Sequence, residues 1–187
     1  VVFDVAGFTN LSHDHLDDYL DMKNYLAAKA ELFTKLRAKK AVVCLDSSYG
    51  QEIVAKSEIP TVTLTSELGV EAKWHVAVTA ENPMFTSFVL AGPDGVTIRS
   101  RVPLLGKHMV ANAALAIVML VEAGFDAQKI AKAIANGIDA YLPGRIERVS
   151  GDTGPTLYVD FGHSPDAFLQ TLEAVRKVTD GKLIMVF

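Results

Sequence analysis

Short apolar runs alternate with amphipathic stretches along most of the chain. Residues 1–5 read as a strand, and a polar loop follows over 9–17. Over 21–40 the positions Met22, Tyr25, Leu26, Leu32, Phe33 and Leu36 recur at helical spacing and predict one long helix. Residues 41–45 form a short, wholly apolar run of the kind a buried strand shows. Ser48 is placed to cap a helix reaching about Lys56, Pro60 helps end the connection, and 61–64 is a further strand.

The texture then changes. Residues 74–78, 86–90 and 96–102 are rich in β-branched and aromatic side chains, and Gly92-Pro93-Asp94-Gly95 is a turn between the last two. These three segments predict an antiparallel meander. Two helices follow over about 109–123 and 127–135, separated by Gly124. Leu142-Pro143-Gly144-Arg145 breaks the helical run, and the turn-rich Ser150-Gly151-Asp152-Thr153-Gly154-Pro155 suits a boundary. Beyond it, 157–161 reads as a strand, Ser164 and Pro165 as the cap and first residue of a helix reaching about Val178, and 182–187 as another strand. The pattern is α/β: a mixed sheet with flanking helices and a meander over 1–149, then one βαβ unit opening a second, Rossmann-like domain over 150–187. There is no internal repeat and no low-complexity segment.

Composition narrows the function classes. Half of the 187 residues are hydrophobic and 21% are charged, a globular balance that can bury a sizeable core. The net charge of −4 gives no basic excess for nucleic acid. No apolar stretch approaches the ~18 residues a bilayer span needs, and no basic lead-in followed by an apolar run marks a signal peptide. The single cysteine, Cys44, lies in an apolar run and reads as a core thiol in a reducing compartment. Opening and closing inside buried-type strands gives the chain the look of a piece of something longer.

The chemistry-bearing residues concentrate after the first strand. His13, Asp14, His15, Asp17 and Asp18 fall within six positions. Imidazole and carboxylates can bind a divalent cation, and ligands gather at strand ends in α/β folds. A polar loop that merely caps the next helix has the same composition. Lys29 stands between Ala28 and an apolar stretch ending Leu32-Phe33; by residue type alone a helical lysine is a solvated one.

The run Phe8-Thr9-Asn10-Leu11-Ser12-His13-Asp14-His15-Leu16-Asp17, followed by Tyr25-Leu26-Ala27-Ala28-Lys29-Ala30-Glu31-Leu32-Phe33, resembles the Mur ligase family. Three later segments match in the same order: Gly106-Lys107-His108-Met109-Val110-Ala111-Asn112-Ala113, Leu142-Pro143-Gly144-Arg145-Ile146-Glu147-Arg148-Val149, and Val159-Asp160-Phe161-Gly162-His163-Ser164-Pro165-Asp166-Ala167. The match is best to the branch that adds the third amino acid of the peptidoglycan precursor.

The resemblance implies an ATP- and magnesium-dependent ligase of cell-wall biogenesis, and with it a part in cell shape and division. Its substrates would be a UDP-N-acetylmuramoyl dipeptide and an amino acid. It further implies a cytoplasmic protein, monomeric at full length, without nucleic acid or membrane insertion. Lys29 matches a lysine that becomes a carbamate, turning a repelling cation into an anion able to help fix magnesium, and His15 matches the magnesium-binding histidine. Asn112 matches an adenine-side asparagine, Arg145 an arginine that reaches ATP with its planar donors, and Asp160 an acceptor for the ribose hydroxyls, with His163 near it in the nucleotide pocket.

Some positions depart from the family pattern. Asp18-Tyr19-Leu20 stand where it has an aromatic residue and His-Gly, Met109 stands for an asparagine, and Phe161-Gly162 for Tyr-Ala. No Gly-x-x-x-x-Gly-Lys-Thr/Ser loop occurs in the chain, so the chain alone is expected not to ligate. Two other readings stay open: a different member of the superfamily, such as another Mur ligase or a folylpolyglutamate synthetase, and a catalytically dead binding module on the same fold. Diaminopimelate and lysine remain equal candidates for the third amino acid.

Overall fold

The computed structural model describes residues 1–12 and 19–187. Its main sheet has six strands in sequence order: β1 (Phe3–Phe8), β2 (Ala38–Cys44), β3 (Thr61–Thr65), β4 (Trp74–Asn82), β5 (Phe85–Ala91) and β6 (Thr97–Val102). The first four strands run parallel, and β4, β5 and β6 form the expected antiparallel meander. Helices α1 (Met22–Ala30), α2 (Ser48–Lys56), α3 (Lys107–Glu122) and α4 (Ala127–Ala133) flank it. A two-stranded antiparallel pair, β7 (Glu147–Arg148) and β8 (Tyr158–Val159), and helix α5 (Pro165–Lys177) complete the described elements.

Side chains that alternate along each strand divide the core between the two faces. Ala6 and Phe8 of β1, Ala41 and Val43 of β2, Tyr25 and Leu26 of α1 and Ile53 of α2 pack together on one face. Val42 and Cys44 of β2 face the other way, joining Leu64, Trp74, Phe88, Leu90 and Ile98 beneath Val110, Ala114 and Val118 of α3. Burial on both faces explains why β2 reads as a continuous apolar run. Helix α3 comes close over β1: a Cβ at Gly7 would lie 2.6 Å from the Met119 sulfur and 3.0 Å from Leu115.

The long helix expected over 21–40 is shorter. Helix α1 ends at Ala30, a 3₁₀ turn covers Glu31–Phe33, and Thr34 is already extended at φ −103° and ψ 157°. Residues 38–40 join the sheet instead, with Phe3 opposite Ala38 and Val5 opposite Lys40. Ladder bonds to a strand more than thirty residues away in sequence outweigh the local helical preference of Ala38-Lys39-Lys40. Leu36, which the periodicity placed on the apolar face, is 83% exposed. The first strand likewise shifts from 1–5 to Phe3–Phe8.

The βαβ unit expected at the end of the chain also differs. Tyr158 and Val159 pair antiparallel with Arg148 and Glu147, and residues 182–187 form no strand. An apolar run becomes a strand only beside a ladder partner, and among the described residues none lies along it. Ser164 and Pro165 do start α5 as expected, the Ser164 hydroxyl accepting from the Ala167 amide at 3.3 Å. The helix buries Ala174 and Val175 against Leu105 and Ile146, with Leu183 at the margin.

Helix α3 runs opposite to the parallel strands. Lys107 at its start pairs with Glu67, just beyond β3, at 2.8 Å; Lys40, early in β2, pairs with Glu122 at its end at 3.2 Å. Such exposed pairs contribute little energy, about 0–1 kcal/mol each, but they mark where the helix lies. Its N-terminus is at the sheet edge where β1, β2 and β3 end, the edge at which α/β folds bind ligands. Asp46 ties two loops there. It accepts from the Thr65 hydroxyl at 2.9 Å, from the Ser66 amide at 2.7 Å, and from the Ser66 hydroxyl.

Candidate functional site

Three of the sequence-derived candidates, Arg145, Asp160 and His163, meet where the 142–148 segment and the end of β8 converge near the start of α3. Asp160 follows β8 directly. Its Oδ2 accepts from the Ile146 amide at 2.9 Å; its Oδ1 accepts from the Gly162 amide at 2.7 Å and from the Thr171 hydroxyl at 3.3 Å. An ionised carboxylate offers about four lone-pair positions, so three donors leave room for one more on Oδ2. The Phe161 amide donates to the Gly144 carbonyl at 2.7 Å. Residues 144–146 and 160–162 are therefore stitched together by backbone and carboxylate.

This stitching brings Arg145 and His163 to the same ring, that of Phe161. The Arg145 guanidinium carbon is 5.6 Å from the Phe161 centroid. The His163 imidazole stands edge-on to the same ring, 5.5 Å away at 79°, with its Nδ1 3.1 Å from the Phe161 carbonyl oxygen. Arg145 and His163 are exposed, while Asp160 is half-buried.

Asn112 is carried on α3. His108, one turn before it on α3, lies on the same helical face, and Asp160 and Asp166 exert their field on the His108 ring. Burial outweighs them and holds that imidazole below its ordinary value, with Lys177 pulling the same way. Gly106, at φ +97°, makes the approach possible: a Cβ there would lie 2.8 Å from the His108 ring and 3.1 Å from Ala174. Asn112 itself is exposed.

Lys29 lies in the last turn of α1. It is exposed, with its Nζ 5.2 Å from the centroid of the Tyr25 ring, which in turn stacks on Tyr19 at 4.8 Å. An ammonium makes that contact with the ring face and a carbamate gives it up. His15 lies outside the described residues, as do His13, Asp14, Asp17 and Asp18. Among the described residues, no group of three His, Cys, Asp or Glu could hold a metal ion. A metal-binding role for Lys29 thus requires the carbamate, whose oxygens suit magnesium.

Several contributors were not singled out from sequence. Ile146 is buried and takes φ +45°, an uncommon conformation for a β-branched residue. Glu147 accepts from the Gly144 amide and the Tyr141 hydroxyl, both at 2.8 Å. The Gly144 bond, then the Tyr141 bond, holds its carboxyl below the usual range. A cavity of about 210 Å³ lies beside this segment, lined by Met84, Leu105, Tyr141, Leu142, Glu147 and Arg148 among others. Local spacing carries no sign of these contacts, because each joins residues through the folded turn. Cys44 behaves as a core thiol, its pKa pushed up to about 12, chiefly by burial. No helix among the described residues is long and apolar enough to cross a membrane.

Comparison with known proteins extends this picture. The family model of the Mur ligase middle domain matches residues 1–120, and that of the Mur ligase glutamate ligase domain matches 144–187. The chain is 55% identical to a UDP-N-acetylmuramyl-tripeptide synthetase of Leifsonia xyli, over 100% of this chain and 37% of that protein. It is 42% identical to a UDP-N-acetylmuramoyl-L-alanyl-D-glutamate–2,6-diaminopimelate ligase of Streptomyces avermitilis, over 99% of this chain and 36% of the relative. A solved structure of a ligase of that same name superposes with a TM-score of 0.73 at 28% identity, covering 94% of this chain and 36% of the other. The chain thus spans little more than a third of the length of these relatives.

Proposed function

Because the chain belongs to the Mur ligase family, we propose that it is part of an ATP-dependent ligase adding the third amino acid to UDP-N-acetylmuramoyl-L-alanyl-D-glutamate. The observation that carries the reading is the convergence of Arg145, Asp160 and His163 beside the helix bearing Asn112, at the sheet edge where α/β folds bind nucleotides. The 55% identity to a protein named as a tripeptide synthetase supports this branch of the family over its neighbours.

In this reading each residue acts through its own chemistry. The Arg145 guanidinium meets phosphate oxygens with its planar donors. Asp160, already holding Ile146 and Gly162, accepts a ribose hydroxyl at its remaining lone pair. Asn112 offers a donor and an acceptor to the purine edge, and His163 closes the side of the pocket. The substrate carboxylate takes the terminal phosphoryl group of ATP, and ADP leaves. The amine of the incoming amino acid attacks the acyl phosphate, loses a proton, and expels phosphate as the amide forms. Magnesium, when bound, neutralises charge on the phosphates. His15 and a carbamate on Lys29 are the residues we assign to holding it.

We place the boundary between the central domain and the start of the C-terminal domain at 149/150, inside the β7–β8 connection. The protein acts in peptidoglycan synthesis, and so in cell shape and division, as a cytoplasmic monomer. This chain by itself is inactive.

The test is ligation by the full-length protein. With ATP, magnesium, the muramoyl dipeptide and either diaminopimelate or lysine, one of the two amino acids is expected to drive ADP release and tripeptide formation. Absence of product with both, from a protein that binds ATP, counts against the branch. Product formation by this chain alone counts against its inactivity.

A further inference from the structure

Phe161 is 67% exposed, yet its ring meets both Arg145 and His163. We propose that Phe161 is a positioning residue, whose ring holds the Arg145 guanidinium in the orientation that receives phosphate. This inference rests on the nucleotide-binding reading above.

The backbone fixes the two residues relative to each other before the side chains meet. Gly144, before Arg145, accepts from the Phe161 amide at 2.7 Å; Ile146, after it, donates to the Asp160 carboxylate at 2.9 Å. Arg145 is therefore anchored at both neighbours to the segment that carries the ring. What stays free is its long stem, and a guanidinium on such a stem samples many positions unless something holds it. The contact distance of 5.6 Å lies within the ~6 Å range of cation–π attraction.

The chemistry of the contact suits a phosphate site. Among the described residues Arg145 forms no ion pair. A carboxylate partner would occupy the N–H edge that an incoming phosphate needs. An aromatic ring engages the guanidinium through its π face instead, leaving the in-plane donors for a bidentate oxyanion. His163, edge-on to the ring and with Nδ1 facing the Phe161 carbonyl, limits the swing of the ring.

The experiment is a double-mutant cycle in the full-length protein, with Phe161→Leu, Phe161→Tyr, Arg145→Ala and the Phe161→Leu/Arg145→Ala pair. Phe161→Leu is expected to raise the KM for ATP by about three- to fivefold. The KM for the amino acid and the thermal midpoint should stay unchanged. Phe161→Tyr, which keeps the ring, should remain within about twofold of the parent. On the Arg145→Ala background Phe161→Leu should have no further effect. An unchanged ATP KM in Phe161→Leu, or the same loss with and without Arg145, overturns the proposal. If the parent protein shows no ATP-dependent activity, the functional reading itself fails, and with it this role; an active parent with an unaffected Phe161→Leu overturns the role alone. Should Phe161→Leu not fold, NMR of the unmodified chain decides. Upfield ring-current shifts of the Arg145 side-chain protons are expected, and random-coil shifts overturn the contact.

Discussion

The Asp160 carboxylate accepts from the backbone amide of Ile146 at 2.9 Å, while Ile146 is held buried at φ +45°. A β-branched residue rarely adopts that conformation, and such backbone costs of order 1–3 kcal/mol. The carboxylate and the burial of the isoleucine in the cluster with Leu105, Ala174 and Val175 offset that cost. A residue assigned to the nucleotide thus also holds the segment that presents Arg145.

Asp160→Asn separates the two roles. The amide group can replace one oxygen as acceptor but turns an NH₂ toward either Ile146 or Gly162. Unfolding in denaturant should show a loss of about 1–3 kcal/mol. If Asp160 served the ribose alone, stability would be unchanged and only nucleotide affinity would fall.

Gly7 is small because α3 needs the space. Gly7→Ala places a methyl group against the Met119 sulfur and Leu115 and should cost about 1–3 kcal/mol. The cost should largely vanish in a Met119→Ala background, where the methyl fills the vacated space. Equal effects in both backgrounds would place the strain elsewhere.

His108 gives a pH dependence whose sign follows from its burial. The folded imidazole sits below its ordinary value of 6.5, so the native state binds fewer protons than the unfolded chain. The associated stability is fully present above that value and declines as pH falls toward the folded value. His108→Gln removes this component. The gap in melting temperature between parent and variant should shift between about pH 7.5 and 5.5, with the parent losing more. A gap that does not move argues against titration of His108 in this range.

Cys44 should resist alkylation. With its pKa at about 12, roughly one thiol in ten thousand is ionised at pH 8, and the side chain is 4% exposed. Iodoacetamide should label it only in denaturant, as intact mass would show; rapid labelling of the native chain would mean that β2 opens.

The sequence by itself determined the α/β class, the meander, the cap and start of α5, and the motifs of the family. Each of these is written in local periodicity or in contiguous residues, as with the alternation in Thr97–Val102 or Ser164-Pro165. Tertiary structure decided what depends on partners distant in sequence. Pairing with β1 drew Ala38-Lys39-Lys40 out of the expected helix, and residues 182–187, without a ladder partner among the described residues, did not become a strand. The same holds at the candidate site. The motifs named Arg145, Asp160 and His163, but only folding set Phe161 against both the arginine and the histidine and bound Asp160 to Ile146. Side-chain preference acts over a few residues, whereas hydrogen-bonded ladders and buried contacts are satisfied across the whole fold, and where the two conflict the larger set of bonds prevails.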